Sequence, residues 1–447
     1  MSDTSQAIVE DRAARLIDGL MELHPKGYDL SLGRIRNLLE KLGNPQDKLP
    51  PVIHVAGTNG KGSTIAFMRA IAEEAGMRVH SHTSPHLVRW HERYRMAGTP
   101  RSGPVDDDLL ADAIERVATA NDGAAITVFE ILTAVAFLLF SENEADLCLM
   151  EVGLGGRFDA TNVMENKTAC VVTPVSLDHM SHLGTTPERI AHEKAGILRE
   201  GTPAIIADQP FETAREALEQ TALRHGVTPL LGGQDFHAHE ERGRLVYQDV
   251  QHGGVLLDLP LPFLVGRHQI TNAATAIATL RKVYPLLPTG AVERGLEATR
   301  WPARLQRVKA GPLTGRALPG TEIWLDGGHN AHAGEALAAH LAHLEEGADR
   351  PMYLIAGMLQ TKEPLEFFRP FEGLVRHVFC VPIESDAGFS PETLAAIARD
   401  VGLSAEAVDS VETAFDRLFL DWTYERRPRV LIGGSLYLAG EVLRENG

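Results

Sequence analysis

The feature that most constrains this chain is the stretch VIHVAGTNGKGSTIAFMRAI, residues 52–71. An apolar run, Val52–Ala56, predicts a buried strand; a turn with three glycines and Lys61 follows, and then a helical pattern. Glycines let backbone N–H groups converge on an anion, and a helix N-terminus adds partial positive charge. The stretch therefore predicts a phosphate-binding loop at the end of a strand, which requires an α/β fold.

The loop departs from the common phosphate-loop pattern GxxxxGK[ST] at two positions. Val55 stands where the pattern has its first glycine, and Gly62 stands where it has Ser or Thr. A hydroxyl for a phosphate oxygen or Mg²⁺ would then come from Ser63 or Thr64. The alternative is an ordinary turn capped by Asn59 or Ser63, although such a turn does not need three glycines and a lysine within six residues.

Composition limits the partners and the compartment that we expect. The 447 residues carry a net charge of −17, which argues against nucleic acid as a partner. The three cysteines form no CxxC pair, and each lies in an apolar stretch, so we interpret them as buried residues in a reducing compartment. The polar N-terminal segment and the lack of membrane-length apolar runs predict a soluble, cytoplasmic protein.

Helical and strand patterns alternate from about residue 50, which predicts a mostly parallel sheet with helices on both faces. Residues 230–260 have short alternating runs and turn residues and predict a small antiparallel hairpin insertion. A second alternating region follows. The predicted class is α/β, with an N-terminal P-loop ATPase-like domain over residues 1–299 and a smaller Rossmann-like domain over residues 300–447.

Polar residues follow several predicted strands of the first domain. Ser84 follows a short strand, Glu151 ends a buried apolar strand, and Asp178 and His179 follow another. Ligands bind at this edge of open α/β sheets, and a buried carboxylate is costly unless it is paired or metal-bound. A lone histidine is usually structural, but together with Lys61 these residues predict a site for a hard cation and a phosphate.

Three other polar groups leave alternatives open. The locally basic loop at residues 81–95 is either a solvated loop or an anion site, and it contains His86, Arg89, His91, Arg93 and Arg95. His237 and His239 fall on one face of the predicted hairpin, but they have no apparent third ligand, so we prefer a solvated hairpin. Taken alone, Lys194 reads as a surface lysine near a helix C-terminus.

The second domain repeats the order of strand and turn. Asp326 ends a predicted strand, two glycines follow, and His329 precedes a helix, where an Asp or Asn helix cap is the alternative. Ser435 lies in a second glycine turn, and Arg304 lies between the domains. These residues predict an ATP- and Mg²⁺-dependent enzyme with its site in an interdomain cleft.

The ordered motifs resemble those of the folylpolyglutamate synthases, a family grouped with the Mur ligases, whose bacterial members are often also dihydrofolate synthases. The motifs that carry this resemblance run over nearly the whole chain: HVAGTNGKGST, TSPHLVRWHER, TVFEILTAVAF, EVGLGGRFDATN, SLDHMSHLG, HEKAGI, NAATAIATL, WPARLQ, LDGGHNAH and GGSLY. The family often reads Asp-x-Ala-His-Asn-Pro where this chain has Asp326-Gly-Gly-His-Asn-Ala, so we expect a looser turn and unchanged chemistry.

The resemblance implies roles for individual residues. For ATP it implies Thr58, Asn59, Gly60, Lys61, Gly62, Ser63, Asn272, Arg304 and Asp326. For metal it implies Ser84, Glu151, His179 and Lys194, the last as a carbamate. For the pterin substrate it implies Thr127, Val128, Phe129, Glu130, Phe158, Asp159 and Ala160. It places His329 and Ser435 near the reaction centre and gives Lys61, Lys194, His329 and Asp326 catalytic roles.

The implied reaction joins L-glutamate to dihydropteroate, or to the γ-carboxylate of a folylpolyglutamate, through an acyl phosphate made from ATP. The implied ions are Mg²⁺ at two sites and K⁺ as an additional candidate, and the implied state is a monomer without nucleic acid or membrane partners. The alternatives are a Mur-type cell-wall amino-acid ligase and a nucleotide-dependent switch. Only about 55 residues precede the loop, too few for the UDP-binding domain expected of the former.

Overall fold

A computed structural model gives the fold of residues 11–21, 31–98, 101–347, 350–420, 422–423 and 426–446. The strands are β1 (Val52–Ala56), β2 (Val79–His82), β3 (Tyr94–Met96), β4 (Gly103–Pro104), β5 (Leu147–Glu151), β6 (Ala169–Val172), β7 (Ala204–Ile206), β8 (Leu230–Leu231), β9 (Phe236–Glu241), β10 (Arg244–Asp249), β11 (Val255–Pro260), β12 (Gln306–Val308), β13 (Glu322–Leu325), β14 (Met352–Ala356), β15 (His377–Cys380), β16 (Ala405–Ala407) and β17 (Arg429–Gly433).

The helices are α1 (Arg12–Leu20), α2 (Gly33–Lys41), α3 (Lys61–Glu74), α4 (Asp107–Asn121), α5 (Val128–Glu142), α6 (Met180–Leu183), α7 (Pro187–Ala195), α8 (Glu212–Arg224), α9 (Arg267–Val283), α10 (Thr289–Ala298), α11 (Pro312–Arg316), α12 (Ala331–Gly347), α13 (Pro364–Phe368), α14 (Pro391–Asp400), α15 (Val411–Phe419) and α16 (Leu436–Asn446). Within the described part of the chain, no helix combines the length and apolarity needed to cross a membrane.

The first sheet has the order β4-β3-β2-β5-β1-β6-β7-β8 among the described residues. From β2 to β8 each neighbouring pair is parallel, while β3 and β4 extend the sheet antiparallel. Residues of β5 alternate between two faces: Leu147 and Leu149 pack with α3, α9 and α10, and Cys148 and Met150 pack with α4 and α5. This period-two burial with helices on both faces confirms the predicted α/β class.

The insertion is a three-stranded antiparallel sheet of order β11-β10-β9 rather than a single hairpin. Its inner residues, Leu245, Tyr247 and Leu259, are fully buried against the first domain's core. His237 and His239 are both exposed on the edge strand β9. Their placement fits the solvated hairpin that we preferred over a metal site.

The second sheet has the order β12-β13-β17-β14-β15-β16 among the described residues. Only its β12–β13 pair is antiparallel; the other neighbouring pairs are parallel. Its residues form two further apolar clusters, one on each face. The smaller Rossmann-like unit is therefore present, while the division of the chain at residues 299 and 300 stays a prediction. The three cysteines are free and buried, as predicted.

Candidate active site

A cavity of about 500 Å³ lies between the two sheets' ligand-binding edges. The first domain supplies the glycine-rich loop after β1 and the residues that follow β2, β5 and β6. The second domain supplies the turn after β13. The predicted site residues that line the cavity are Thr58, Asn59, Gly60, Lys61, Gly62, Ser63, Ser84, Glu151, His179, Lys194, Asn272, Arg304, Asp326 and His329. The carboxyl ends of parallel strands bring these distant residues together.

The glycine-rich loop is held by close packing at its turns. A Cβ on Gly57 would lie 1.8 Å from Thr173 Oγ1, and a Cβ on Gly60, whose φ is 88°, would lie 2.3 Å from Asn272 Oδ1. Lys61 begins α3 and its Nζ donates to the carbonyl oxygens of Gly57 and Thr58 at 3.2 and 3.3 Å. The ammonium group therefore lies over the loop, at the positive end of α3.

Gly62, the residue that breaks the common pattern, is required by a tryptophan from the interdomain segment. A Cβ at Gly62 would lie 2.7 Å from Cζ2 of Trp301. Trp301 thus packs on the start of α3, where a serine or threonine side chain would collide with its ring. The departure from the common phosphate-loop pattern is a packing requirement.

We expect Gly62→Ala to raise the KM for ATP roughly tenfold and to lower stability by roughly 1–3 kcal/mol, because the added methyl overpacks against Trp301. Steady-state kinetics and thermal unfolding measure the two effects. Gly33→Ala is the matched control, since a Cβ at Gly33 meets open space. The double variant Gly62→Ala/Trp301→Leu should recover part of the loss; an unchanged KM in Gly62→Ala would contradict the packing interpretation.

Glu151 is a nearly inaccessible carboxylate at the end of β5. Its Oε2 accepts a hydrogen bond from the Ser84 backbone N–H at 3.1 Å, and its Oε1 lies 3.9 Å from Lys61 Nζ. Burial raises the pKa of Glu151, and the charge of Lys61 opposes that rise. A carboxylate beside a serine at a strand end is a donor set that Mg²⁺ prefers, so Glu151 and Ser84 could hold such an ion.

His179 follows β6 and has a left-handed backbone with φ of 51°. Although 46% of the His179 side chain is exposed, partial desolvation and the charges of Lys362 and Lys61 lower the pKa of its imidazole to about 4. The ring is therefore neutral at pH 7 and could coordinate a metal ion. Its neighbour Asp178, the other candidate ligand at this strand end, is instead bonded to Lys362 of the second domain.

Lys194 is buried, with 4% relative exposure, on α7 and not on the surface as its sequence position alone suggested. Its Nζ donates to the Gly57 carbonyl oxygen at 2.9 Å, the same oxygen that accepts from Lys61. Burial and the charge of Lys61 lower the pKa of Lys194 to about 7. Two lysines at one oxygen favour a neutral Lys194 amine, which is the form that can react with CO₂.

Asp178 joins the two domains through an ion pair that the sequence did not reveal. Its Oδ1 accepts from Lys362 Nζ at 2.6 Å, and its Oδ2 lies 3.6 Å from His329 Nε2 and accepts from Asn330 at 3.4 Å. Burial alone would raise the pKa of Asp178, but His329 and Lys362 hold it well below its usual range. Asp178 is therefore a permanent anion beside His329.

The side-chain amides of Asn59 and Asn330 add a second interdomain contact. Each donates to the other's Oδ1, at 3.2 and 3.0 Å. Asn59 also contacts Ser176 Oγ and His332 Nδ1. The phosphate loop is thus linked directly to the start of α12, so a movement between the domains would alter the loop.

Asp326 organises the segment that carries Arg304. Its Oδ2 accepts from the Leu305 N–H and its Oδ1 from the Gly328 N–H, both at 2.7 Å. Ala303 and Leu305 have positive φ angles of 52° and 43°, which non-glycine residues rarely adopt. These hydrogen bonds hold the backbone on either side of Arg304 in that conformation, with the Arg304 side chain at the cavity.

The residues implied for the pterin substrate lie beside the cavity rather than in its lining. Thr127 and Glu130 form the capping box that begins α5, and Glu130 also accepts from Arg34 Nε at 3.0 Å. The Phe129 ring packs on Gly153, which does line the cavity. Both residues of the capping box are thus engaged in starting the helix.

In the neighbouring loop, Phe158 is 41% exposed, while Asp159 is buried and accepts from the Leu154 N–H at 2.8 Å. Val128 begins α5, and Ala160 begins a 3₁₀ turn. Ser435 caps α16 through a hydrogen bond from the Tyr437 N–H and is absent from the cavity lining among the described residues. This hydrogen bond gives Ser435 a role at the start of α16.

Some residues of the locally basic loop, residues 81–95, lie away from the cavity and others line it, so neither a solvated loop nor an anion site describes the whole loop. Arg89 pairs with Asp11 at 2.7 Å, and His91 lies between Asp11 and Asp107, so both contact carboxylates outside the cavity lining. Arg95, however, lines the cavity. Lys362 and Trp301 were missed in the sequence; the signal for Lys362 was its place in the turn after β14, where the strand-end rule applies.

Two family descriptions match the chain. The Mur ligase middle domain matches residues 55–280, and the C-terminal domain of dihydrofolate synthetase matches residues 313–445. The dihydrofolate synthase/folylpolyglutamate synthase of Escherichia coli is 33% identical over 428 residues, which cover 95% of this chain and 93% of that protein. The chain belongs to the dihydrofolate synthase/folylpolyglutamate synthase family. Membership makes it an ATP-dependent ligase and does not favour a cell-wall ligase.

Solved structures of the family share this fold. E. coli FolC in complex with DHPP and ADP superposes with a TM-score of 0.85 at 31% identity and covers 97% of both chains. A Yersinia pestis bifunctional enzyme complexed with AMPPNP and Mn superposes with a TM-score of 0.83 at 28% identity, also over 97% of both. The family therefore binds adenine nucleotides and a divalent metal ion.

Proposed function

We propose that this chain joins L-glutamate to dihydropteroate and to the terminal γ-carboxylate of folates, using ATP and passing through an acyl phosphate. The observation that carries this proposal is the interdomain cavity, where Lys61 and Glu151 of the phosphate loop region face Asp326 and His329 of the second domain. A nucleotide-dependent switch would not need the second domain's residues at that position.

We assign the ATP phosphates to the loop residues Thr58, Asn59, Gly60, Lys61, Gly62 and Ser63. Asn272, Arg304 and Asp326 are assigned to the remainder of the nucleotide. When the substrate carboxylate attacks the γ-phosphorus, negative charge accumulates on both partners. Lys61 and Arg304 stabilise this charge, because both are cations at the cavity wall.

We assign Mg²⁺ to two sites. Ser84 and Glu151 would hold one ion, and His179 with a Lys194 carbamate would hold the other; the buried carboxylate and the neutral imidazole fit these assignments. When bound, the ions would neutralise phosphoryl oxygens. The K⁺ ion implied by the resemblance has no assigned residue and stays a prediction, as do the monomeric state and the cytoplasmic location.

For the second step we assign His329 as the residue that takes the amine proton of L-glutamate. Its Nδ1 donates to the Gly327 carbonyl at 2.8 Å, which leaves Nε2 facing Asp178 and the cavity. The amine attacks the acyl carbon, phosphate leaves, and Asp178 stabilises the resulting imidazolium. Lys362 keeps Asp178 ionised for this purpose.

The pterin is assigned to the segments Thr127–Glu130 and Phe158–Ala160. Phe129 packs on Gly153 at the edge of the cavity, and Phe158 offers an exposed ring for stacking. The α5 capping box fixes the first of these segments, so its residues form a rigid wall.

ADP formation tests the proposal when dihydropteroate and L-glutamate are supplied together and singly, with mass spectrometry to identify dihydrofolate. Tetrahydrofolate in place of dihydropteroate tests the second activity. We expect ADP release only when both acceptor and glutamate are present. Glutamate-independent hydrolysis would indicate a switch instead, and activity only with a UDP-muramyl acceptor would indicate a cell-wall ligase.

A further inference from the structure

The part of the cavity lining beside α3 is a polar arm that contains two arginines, Arg69 and Arg95. Gly62, Ser63 and Arg69 contribute from α3, and Thr83 and Arg95 line the same cavity from the strand side. Neither arginine takes part in the nucleotide, metal or pterin assignments above. The arm therefore places two guanidinium groups in the same cavity as the phosphate loop.

The two arginines are connected through Glu73 and Ser102. Arg69 Nη1 donates to Glu73 Oε2 at 3.1 Å, and Arg69 is 8% exposed. The Ser102 N–H donates to Glu73 at 3.0 Å, and Arg95 Nη2 donates to the Ser102 carbonyl oxygen at 2.8 Å. Nε of Arg95 is buried and has no hydrogen-bond partner among the described residues.

The two carboxylates beside these arginines are already engaged. Glu73 is shared between Arg69 and Ser102, and Glu92, which also lines the cavity, accepts from the backbone N–H groups of residues 87–89. Burial, together with the charge of Arg69, lowers the pKa of Arg95 to about 10. A buried guanidinium N–H without a partner favours a ligand that offers a hydrogen-bond acceptor, such as a carboxylate.

The arm also lies within reach of the reaction. Six residues separate Ser63 from Arg69, which is roughly 9 Å along a helix axis. The Arg69 guanidinium is bonded to Glu73, one turn further along α3, and Arg69 lines the same cavity as the phosphate loop. An anionic group attached a few bonds from the reacting carboxylate can therefore contact it.

The two acceptor substrates differ in such a group. Dihydropteroate has one carboxylate, which is the one activated by ATP. A folate has an additional α-carboxylate on every glutamyl residue of its tail. In the last residue, roughly three carbons separate this α-carboxylate from the reacting γ-carboxylate. We propose that Arg69 and Arg95 bind α-carboxylates of the glutamyl tail and thereby favour folates over dihydropteroate; this rests on the proposed function.

The test measures kcat/KM for dihydropteroate, tetrahydrofolate and its γ-linked diglutamate in wild type, Arg69→Gln and Arg95→Gln. We expect the ratio of kcat/KM for folates to that for dihydropteroate to fall roughly 30-fold, through KM, because a charge-assisted hydrogen bond is lost. Arg69→Lys and Arg95→Lys, which retain the charge, should recover part of the ratio. Arg101→Gln is the matched control, since Arg101 pairs with Glu74 and does not line the cavity.

Three results would overturn the inference. The first is an unchanged ratio in folded Arg69→Gln and Arg95→Gln. The second is a rise in the KM for L-glutamate instead of the folate, which would assign the arginines to the co-substrate. The third is an equal loss on all three acceptors, which would indicate a structural role. A wild type that turns over none of the acceptors would instead refute the proposed function itself. If Arg69→Gln does not fold, Arg69→Lys and Arg95→Gln still decide the question.

Discussion

Replacing Lys61 by methionine should lower kcat/KM for ATP roughly 1,000-fold in the glutamate-dependent reaction. The Lys61 ammonium lies over the phosphate loop, on the Gly57 and Thr58 carbonyls, and 3.9 Å from Glu151. Methionine keeps the length and the apolar stem of the side chain but removes its positive charge from the loop. The transferred phosphoryl group then loses a cation whose stabilising effect is largest in the transition state of the transfer.

Because Lys61 also faces a buried carboxylate, stability must be measured beside activity. Without Lys61, burial would raise the pKa of Glu151 further, which favours the neutral carboxyl over a buried anion. We therefore expect a small change in thermal unfolding and a large change in rate. Lys282→Met, at the exposed end of α9, is the matched control. A Lys61→Met enzyme within threefold of wild type would refute the catalytic role.

The fold and the phosphate loop could be predicted because their signals are local. Apolar runs of strand length, glycines with a lysine between them, and a helical pattern lie within twenty residues at positions 52–71. The strand-end rule also predicted that Ser84, Glu151 and His179 converge on one cavity. Such convergence needs only the parallel order of the strands, which alternation along the chain already indicates.

The rest of the site depends on contacts between residues far apart in sequence. Lys362 contacts Asp178, which is 184 positions away in the sequence, and the Trp301 ring leaves no room for a side chain at residue 62. Neither partner has a local pattern that points to the other. Ser435 shows that a local pattern can also be ambiguous. A serine in a glycine turn suits both a ligand site and a helix cap, and here it caps α16.

Burial explains why Lys194 was first interpreted as a surface residue. The sequence HEKAGI places it near a helix C-terminus, where an exposed lysine is favourable. Ile190, Ala191 and Ala195 on the same helix are fully buried, and Lys194 is buried with them. A short helix with four of nine residues buried leaves little apolar periodicity in which to recognise an inward lysine.

Replacing Lys194 by methionine should lower the ligation rate at least roughly 100-fold, because the proposed carbamate ligand of the second Mg²⁺ cannot form. Isotopically labelled bicarbonate followed by NMR should show a carbamate signal in wild type and none in Lys194→Met. Lys167→Met is the matched control, since Lys167 is a second buried lysine that does not line the cavity and whose pKa burial lowers to about 8. A fully active Lys194→Met enzyme would refute the carbamate role.

The same variant should change how stability depends on pH. Burial depresses the pKa of Lys194 from 10.5 to about 7, so between these values the unfolded chain binds a proton that the folded chain does not. Wild-type stability contributed by this group therefore rises from pH 7 to about 10.5, while below pH 7 both states are protonated and the full cost of a buried cation remains. Lys194→Met lacks this rise. Urea unfolding of both proteins in bicarbonate-free buffer at pH 6.5 and 9 measures the difference, and equal pH slopes would show that the lysine is not held as a buried, readily neutral amine.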